Sequence, residues 1–165
     1  LDIRHKIVIH VGGAYSDKAA ALDRWIATFL RLPDQVRRRV IVENDERLFG
    51  VEDVLTASAA SGVPVVLDVL HHRVYAGPSA DEALPDLMRA AARTWETARD
   101  GVAKIHYSTQ ATGGRAGAHA EYVDPAELAH FLDLAPREVE FDCMLEAKAK
   151  DLALFRVRDA LGIAA

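Results

Sequence analysis

One carboxylate and two imidazoles stand together where a short apolar run of this sequence ends. Asp68, His71 and His72 follow the run at 63–67, which opens after Gly62. The β-branched content and the length of this run favour a strand that is buried on both faces. An unpaired carboxylate is costly to bury, whereas Asp-x-x-His offers a metal ion one hard oxygen and one imidazole nitrogen from a single turn. The stretch is therefore either a metal-binding strand end or a solvated loop that contains histidines.

Four other apolar runs also carry polar side chains at or near their C-terminal ends. These are His10 in the run at 6–10, Glu43 after 40–42, Lys104 with His106 in 102–108, and Glu146 after 139–145. No structural role explains why all five ends should be polar. Together they predict a multinuclear metal site built from several strand ends.

These strand ends need a framework that brings them together. The spacing of apolar residues and the capping signals predict helices at 19–32, 51–61, 81–99, 125–134 and through the tail to 161, with a loop at 75–78. Strands that alternate with helices indicate a parallel sheet, in which the chemistry lies at the C-terminal strand ends. The glycine-rich segment 109–117 is expected to be a mobile loop that could meet a substrate.

The composition is that of a globular protein. The chain has 165 residues, is 50% hydrophobic and carries a formal net charge of −5. We expect no membrane association, because no apolar run approaches the roughly 20 residues of a membrane span. The single cysteine, Cys143, and the lack of a signal-peptide pattern are typical of the cytoplasm. The acidic balance does not indicate a nucleic-acid binder, although divalent cations held by the acids would make a loaded site far less negative.

Six short motifs, in order and in approximate spacing, resemble the UV damage endonucleases. They are IHVGG at 9–13, ENDE at 43–46, LDVLHH at 67–72, KIHYS at 104–108, HAEY at 119–122 and MLEAKAKD at 144–151. The resemblance covers nearly the whole chain. It implies an enzyme of the xylose-isomerase-like TIM-barrel group that acts on double-stranded DNA and nicks the backbone immediately 5′ to ultraviolet photoproducts. When acting on DNA, such an enzyme would lie at the nucleoid.

The resemblance also implies a cluster of up to three divalent metal ions, Mn²⁺ before Mg²⁺ or Zn²⁺. The implied ligands are His10, Glu43, Asp68, His71, His106, His119 and Glu146. Glu43 and Glu146 would bridge metals and are expected to be catalytic. His72 fits the family's Asp-x-x-His spacing less well than His71, and Glu121 could support a ligand.

Lys104 is the third residue that we expect to be catalytic. It lies two positions before His106, so both side chains should point to the same side of a strand and toward the metals. A neutral amine could act there as a base or weak ligand, and a carbamate formed with carbon dioxide would ligate metal as a carboxylate does. The carbamate is the form we favour. The alternative is that the long side chain carries its ammonium out to solvent.

Five strands are fewer than the eight of a TIM barrel. We therefore interpret residues 1–165 as a single domain, an α/β partial TIM barrel of about five consecutive β-α units, and as the C-terminal portion of a longer enzyme. Such a portion is expected to be inactive alone, and the sequence does not indicate its oligomeric state. The alternatives are a sugar isomerase or epimerase, an AP endonuclease of the same barrel group, or a non-catalytic fragment.

Overall fold

Five parallel strands form one sheet in a computed structural model that describes residues 2–163. The strands are β1 Ile7–His10, β2 Val40–Glu43, β3 Val65–Asp68, β4 Ala103–Tyr107 and β5 Phe141–Leu145. They lie side by side in sequence order, and every neighbouring pair is parallel. The predicted α/β architecture with a parallel sheet is therefore confirmed.

Helices connect the strands and cover one face of the sheet. They are α1 Lys18–Leu30, α2 Asp34–Arg37, α3 Val51–Ser61, α4 Val69–Ala76, α5 Ala80–Ala92, α6 Thr97–Asp100, α7 Pro125–Leu134 and α8 Asp151–Leu161. Local signals fix several ends, such as the Asp124 carboxylate that caps the start of α7 and the left-handed Gly62 that closes α3. Within residues 2–163 no helix is long and apolar enough to cross a membrane.

The single helix predicted at 81–99 is wrong. The chain leaves α5 after Ala92 and starts α6 only at Thr97. Between them, Thr94 Oγ1 accepts a hydrogen bond from the Val65 amide (2.8 Å), and the Trp95 indole donates to the Val65 carbonyl (2.8 Å). These bonds satisfy the first residue of β3, so tertiary contacts override the helical periodicity of this segment.

The loop predicted at 75–78 is also wrong. Tyr75 and Ala76 belong to α4, which starts directly after β3, and a short 3₁₀ turn follows at Gly77–Ser79. The Asp68 carboxylate caps α4 by accepting a hydrogen bond from the His71 amide at 2.7 Å. The candidate metal-binding stretch is therefore a strand end fused to a helix start and not a solvated loop.

The hydrophobic core lies between the sheet and the helices. Alternate strand residues face it, namely Val40, Val42, Val65, Leu67, Ile105 and Tyr107. Leu84 and Met88 of α5 are fully buried against them. Burying a side chain of this kind contributes about 1.5–3 kcal/mol, so the helix-facing layer holds the sheet together. The intervening positions, which include Glu43, Asp68 and His106, therefore project to the opposite face.

The sheet is curled and has two open edges in the part of the chain that the structure describes. Val8 on edge strand β1 and Met144 on edge strand β5 line the same open cavity, which also contains His106. The two strands are farthest apart in strand order, so a flat sheet could not bring them to one cavity. Ile7 and Met144 are each about half exposed, at 51% and 47%.

Candidate metal centre

Four side chains converge at the C-terminal ends of neighbouring strands. The group consists of Glu43, Asp68, His106 and Glu146, each of which offers one ligand atom within 4.8 Å of the others. Glu43 and Asp68 end β2 and β3, His106 is the next-to-last residue of β4, and Glu146 follows β5 directly. The parallel sheet brings them together because parallel strands place all their C-terminal ends at one edge.

Glu43 contacts two imidazoles of the site. His106 Nδ1 donates to Glu43 Oε1 at 2.8 Å, and His10 Nε2 lies 3.3 Å from Glu43 Oε2. Burial disfavours charge on both Glu43 and His106, but their mutual hydrogen bond and the opposite charges around them together outweigh it. The pKa of Glu43 is consequently below its usual value, and the pKa of His106 is above its usual value.

Asp68 is held rigidly and has one unsatisfied oxygen. Its backbone amide donates to Asn44 Oδ1 (2.8 Å), while Asn44 Nδ2 donates to its carbonyl (3.1 Å). The carboxylate uses Oδ1 to cap α4, whereas Oδ2 is fully buried and has no hydrogen-bond partner. Burial raises the pKa of Asp68 to about 7, with His71 opposing the rise and the Glu43 and Glu146 charges adding to it. A buried carboxylate oxygen without a donor, beside two further carboxylates, fits a bound cation.

A second group shares Asp68 with two imidazoles. Asp68, His71 and His119 can each offer a ligand atom within 4.8 Å of the others. The His71 and His119 ring centres are 6.1 Å apart, and those of His10 and His71 are 5.9 Å apart. His119 Nε2 also lies 3.6 Å from Glu146 Oε2, so Glu146 is next to both groups.

The side chains of His72, His130 and Lys104 are among those that lie outside these groups. His72 points away from the cluster and pairs through Nε2 with the Ala80 carbonyl at 3.0 Å. His130 lies 3.2 Å from Asp81. Lys104 donates to Asp142 Oδ2 at 2.9 Å, and these two residues are register partners on β4 and β5. Its ammonium is therefore held by a carboxylate on the neighbouring strand.

Sequence reasoning missed two residues of this site, Asn44 and Glu46. Both were visible within ENDE at 43–46, which indicated only a polar strand end. Asn44 is fully buried and joins β2 to β3, whereas Glu46 Oε2 lies 3.9 Å from His71 Nε2. An Asn placed directly after a candidate metal ligand was the available signal, because a buried amide must satisfy both its donor and its acceptor.

The glycine-rich segment 109–117 folds back on itself through several hydrogen bonds. Gln110 and His119 form an antiparallel bridge, and the Ala111 amide donates to the Ala118 carbonyl at 2.7 Å. The Gln110 side chain spans the loop, since Oε1 accepts from the Gly117 amide at 2.8 Å. These contacts fix His119 beside the cluster. The mobility expected for this segment stays a prediction.

Comparison with known proteins identifies relatives along almost the entire chain. Residues 1–164 match the model of the family described as UV-endonuclease UvdE. A UV DNA damage endonuclease of Bacillus velezensis is 36% identical over 160 residues, which is 96% of this chain and 49% of that protein. The protein of the same name from Clostridium perfringens is 34% identical over 163 residues, which is 98% of this chain and 38% of that protein.

The fold agrees with the sequence comparison. The crystal structure of SacUVDE superposes with a TM-score of 0.83 at 33% identity and covers 95% of this chain and 51% of that chain. The chain thus spans about half the length, or less, of these relatives. With a family match that runs through all six motifs, this chain belongs to the UV-endonuclease UvdE family.

Proposed function

We propose that this chain is the C-terminal part of a metal-dependent DNA repair endonuclease that nicks the backbone immediately 5′ to ultraviolet photoproducts. The observation that supports it most is the convergence of Glu43, Asp68, His106 and Glu146 within 4.8 Å at the strand ends of a UvdE-family sheet. The relatives are named UV DNA damage endonucleases, and the donor set suits phosphodiester chemistry.

The residues present fit up to three divalent cations. Glu43, Asp68, His106 and Glu146 would hold one, while Asp68, His71 and His119 would hold another. His10, which lies 3.3 Å from Glu43, would contribute to a third. Carboxylate donors suit Mn²⁺ and Mg²⁺, and imidazole donors suit Zn²⁺. The resemblance to the UV damage endonucleases favours Mn²⁺ among them. Bound cations would supply a hydroxide nucleophile and charge neutralisation at the phosphoryl oxygens and the leaving 3′-oxygen.

The chain's own contribution to the reaction is to fix these donors in space. Glu43 and Glu146 each lie within reach of two imidazoles, and this supports the expectation that they would bridge neighbouring cations. Asp68 is locked by the Asn44 amide and by its cap on α4. Because rigid strand ends carry the donors, little reorganisation is needed when the phosphate charge grows.

Lys104 stays part of the proposal as a catalytic residue. It lies on the same strand face as His106, two residues before it in β4. Its ammonium is paired with Asp142 at 2.9 Å, so a carbamate at Lys104 requires that this pair opens. Intact-mass measurement of the metal-loaded full-length protein under native conditions is expected to show a carbon dioxide adduct that Lys104→Ala lacks. A parent without the adduct would remove the carbamate from the site.

We further propose that residues 1–165 form one domain that is part of a TIM barrel. The support is the sequential order of five parallel strands and the curl that brings Val8 of β1 and Met144 of β5 to one cavity. Each strand here is followed by a helix on the outer face, as in consecutive β-α units. The two open edges are where the remaining strands of the barrel would pair.

The proposed partner is double-stranded DNA that contains pyrimidine dimers or related lesions. A crosslinked pyrimidine pair stacks poorly, so extruding it costs less than the few kcal/mol required for intact bases. The net charge of −5 opposes DNA binding until cations occupy the acidic cluster. Substrate binding is therefore expected to depend on the metals as well as on the lesion.

The test is a nicking assay with the full-length protein on supercoiled plasmid. We expect Mn²⁺-dependent nicking of irradiated plasmid, loss of nicking with excess chelator, and little nicking of unirradiated plasmid. A plasmid with abasic sites separates this function from that of an AP endonuclease. Nicking of abasic plasmid alone, or of irradiated plasmid in the presence of chelator, would contradict the proposal.

A further inference from the structure

Glu46 lies at the edge of the candidate metal centre, on the turn between β2 and α3. Its Oε2 is 3.9 Å from His71 Nε2, and its side chain is only 15% exposed. The carboxylate is not a member of either group of converging ligand atoms described above. It nevertheless lies next to the ring of His71, which is a member of one group.

The orientation of the His71 ring shows which nitrogen faces Glu46. His71 Nδ1 lies 3.2 Å from the Asn44 carbonyl, and a carbonyl oxygen can only accept a hydrogen bond. Nδ1 therefore carries the proton, and the lone pair of the neutral ring is on Nε2, the atom nearest Glu46. Two ligand atoms at about 2.1 Å from one cation lie at most about 4.2 Å apart. The 3.9 Å between Glu46 Oε2 and His71 Nε2 is within this limit.

A second observation points to a cation beside His71. Asp68 Oδ2 is fully buried, has no hydrogen-bond partner and lies 3.8 Å from Nδ1 of the same ring. His119 belongs to the same group of converging ligand atoms as Asp68 and His71, and its ring centre is 6.1 Å from that of His71. The Glu46 carboxylate thus lies beside His71, a member of a group that can hold a cation.

The local backbone keeps Glu46 in this position. The Asp45 carboxylate accepts hydrogen bonds from the amides of Arg47 and Phe49, which makes the turn rigid. Gly117 lies directly against the side chain, because a Cβ at Gly117 would be 2.9 Å from Glu46 Cγ. The backbone φ of Gly117 is +77°, which also favours glycine. The glycine-rich segment therefore leaves room for the Glu46 side chain beside the cluster.

We propose that the Glu46 carboxylate is a further metal ligand, which binds through Oε2 the same divalent cation as His71 Nε2. This inference rests on the proposed metal centre and adds a ligand to it. Arg115 Nη1 lies 3.5 Å from the other oxygen, Oε1, and its side chain is 76% exposed. An exposed ion pair of this length stabilises little, so Arg115 neither replaces the cation nor is required for the position of Glu46.

The experiment is equilibrium dialysis of metal-free full-length protein against graded Mn²⁺, with bound metal measured by elemental analysis. Glu46→Gln keeps the shape and removes the charge, and it is expected to weaken one binding step about tenfold or more. Glu46→Asp keeps the charge and must bind more tightly than Glu46→Gln at that step. If Glu46→Gln does not fold, Glu46→Asp is compared with the parent instead. Glu52→Gln, at an exposed position on α3, is the matched control and should bind as the parent does.

Arg115→Ala distinguishes two possible roles of Glu46, as a metal ligand or as an anchor for the loop that carries Arg115. If Glu46 binds metal, removing the guanidinium should leave the step unchanged or tighter. The proposal is overturned if Glu46→Gln binds like the parent, or if Arg115→Ala weakens the step as much as Glu46→Gln does. A parent that binds no Mn²⁺ would overturn the metal centre itself. A parent that binds Mn²⁺ and nicks irradiated plasmid, with an unaffected Glu46→Gln, would overturn this inference alone.

Discussion

Asn44 and Asp68 join β2 to β3 through two side chain–backbone hydrogen bonds, with Asn44 Nδ2 donating to the Asp68 carbonyl (3.1 Å) and the Asp68 amide donating to Asn44 Oδ1 (2.8 Å). Both residues are fully buried. This pair continues the sheet beyond the last backbone bonds and fixes the residue that both candidate metal groups share. The Asn44 side chain therefore positions Asp68, and we expect it to affect metal binding in this way.

The first prediction concerns this pair. Asn44→Ala leaves a buried amide and a buried carbonyl of Asp68 unsatisfied, so we expect a loss of about 2–3 kcal/mol in the free energy of unfolding. We also expect weaker Mn²⁺ binding, because Asp68 loses its fixed position. Denaturant titration and metal titration of the full-length protein measure the two effects. Gln35→Ala, an exposed amide on α2, should change neither. Unfolding and metal binding like those of the parent would show that Asn44 does not position Asp68.

Glu43→Gln and Glu146→Gln should each abolish nicking of irradiated DNA and leave the protein folded. Each carboxylate lies between imidazoles that would belong to different cations, so a neutral amide cannot bridge them. We expect rates at least about a hundredfold below the parent, in line with the loss of one electrostatic catalytic group. Glu140→Gln, exposed just before β5, is the matched control. Near-parental activity of either variant would remove that carboxylate from the site.

A buried ion pair at the opposite end of the sheet predicts how stability depends on pH. Asp100 Oδ1 lies 2.8 Å from Lys6 Nζ, and Asp100 Oδ2 lies 2.7 Å from Arg99 Nη2, with Asp100 1% exposed. Burial raises the pKa of Asp100, but the bonds from Arg99 and Lys6 outweigh it and hold the pKa below its usual 3.8. A depressed pKa contributes stability that is fully present above the unfolded value and is lost as pH falls through the folded value.

We therefore expect Asp100→Asn to lower the free energy of unfolding at pH 7 by about 3 kcal/mol, since it leaves a buried Lys6 without its counter-charge. The difference from the parent should shrink as the pH falls below about 4, where the parent's carboxylate becomes protonated as well. Urea titrations at several pH values measure this. Asp133→Asn, at an exposed position on α7, should show neither effect. A gap between parent and Asp100→Asn that stays constant down to pH 2 would contradict the account.

The open edges of the sheet predict the behaviour of residues 1–165 expressed alone. β1 and β5 expose unpaired backbone together with Ile7 and Met144, which are 51% and 47% exposed. Unprotected strand edges of this kind associate with other chains. We expect oligomers or aggregates in light scattering after size exclusion, and no nicking activity. A monomeric, monodisperse sample that nicks irradiated plasmid would contradict the proposed partial barrel.

Much of this fold could be predicted from the sequence, because local signals and tertiary packing agree. The β-branched runs ending at His10, Glu43 and Asp68 form strands, and Gly62 closes the helix before β3. The prediction of one helix at 81–99 failed at Trp95, because the indole donates a hydrogen bond to a strand that is distant in sequence. A contact of this kind is not encoded in the periodicity of either segment.

The candidate site was partly predictable for the same reason. Residues that end strands could be grouped in advance, since parallel strands bring their ends together. Glu46 could not be placed this way, because its position depends on the turn after β2 and on Gly117 from a loop more than seventy residues later. The Lys104 pair with Asp142 was also missed, because the register of β4 and β5 is set by packing and not by either strand alone.

The central claim is that this metal cluster cleaves DNA next to a photoproduct, and mapping the cut tests it most directly. The full-length protein with Mn²⁺ is incubated with an end-labelled duplex that contains one cyclobutane pyrimidine dimer, beside the same duplex without the dimer. We predict one cut at the phosphodiester immediately 5′ to the dimer, which disappears in Glu43→Gln and on removal of metal. Cleavage of both duplexes alike, or an uncut dimer duplex from a folded, Mn²⁺-loaded protein, would contradict the account.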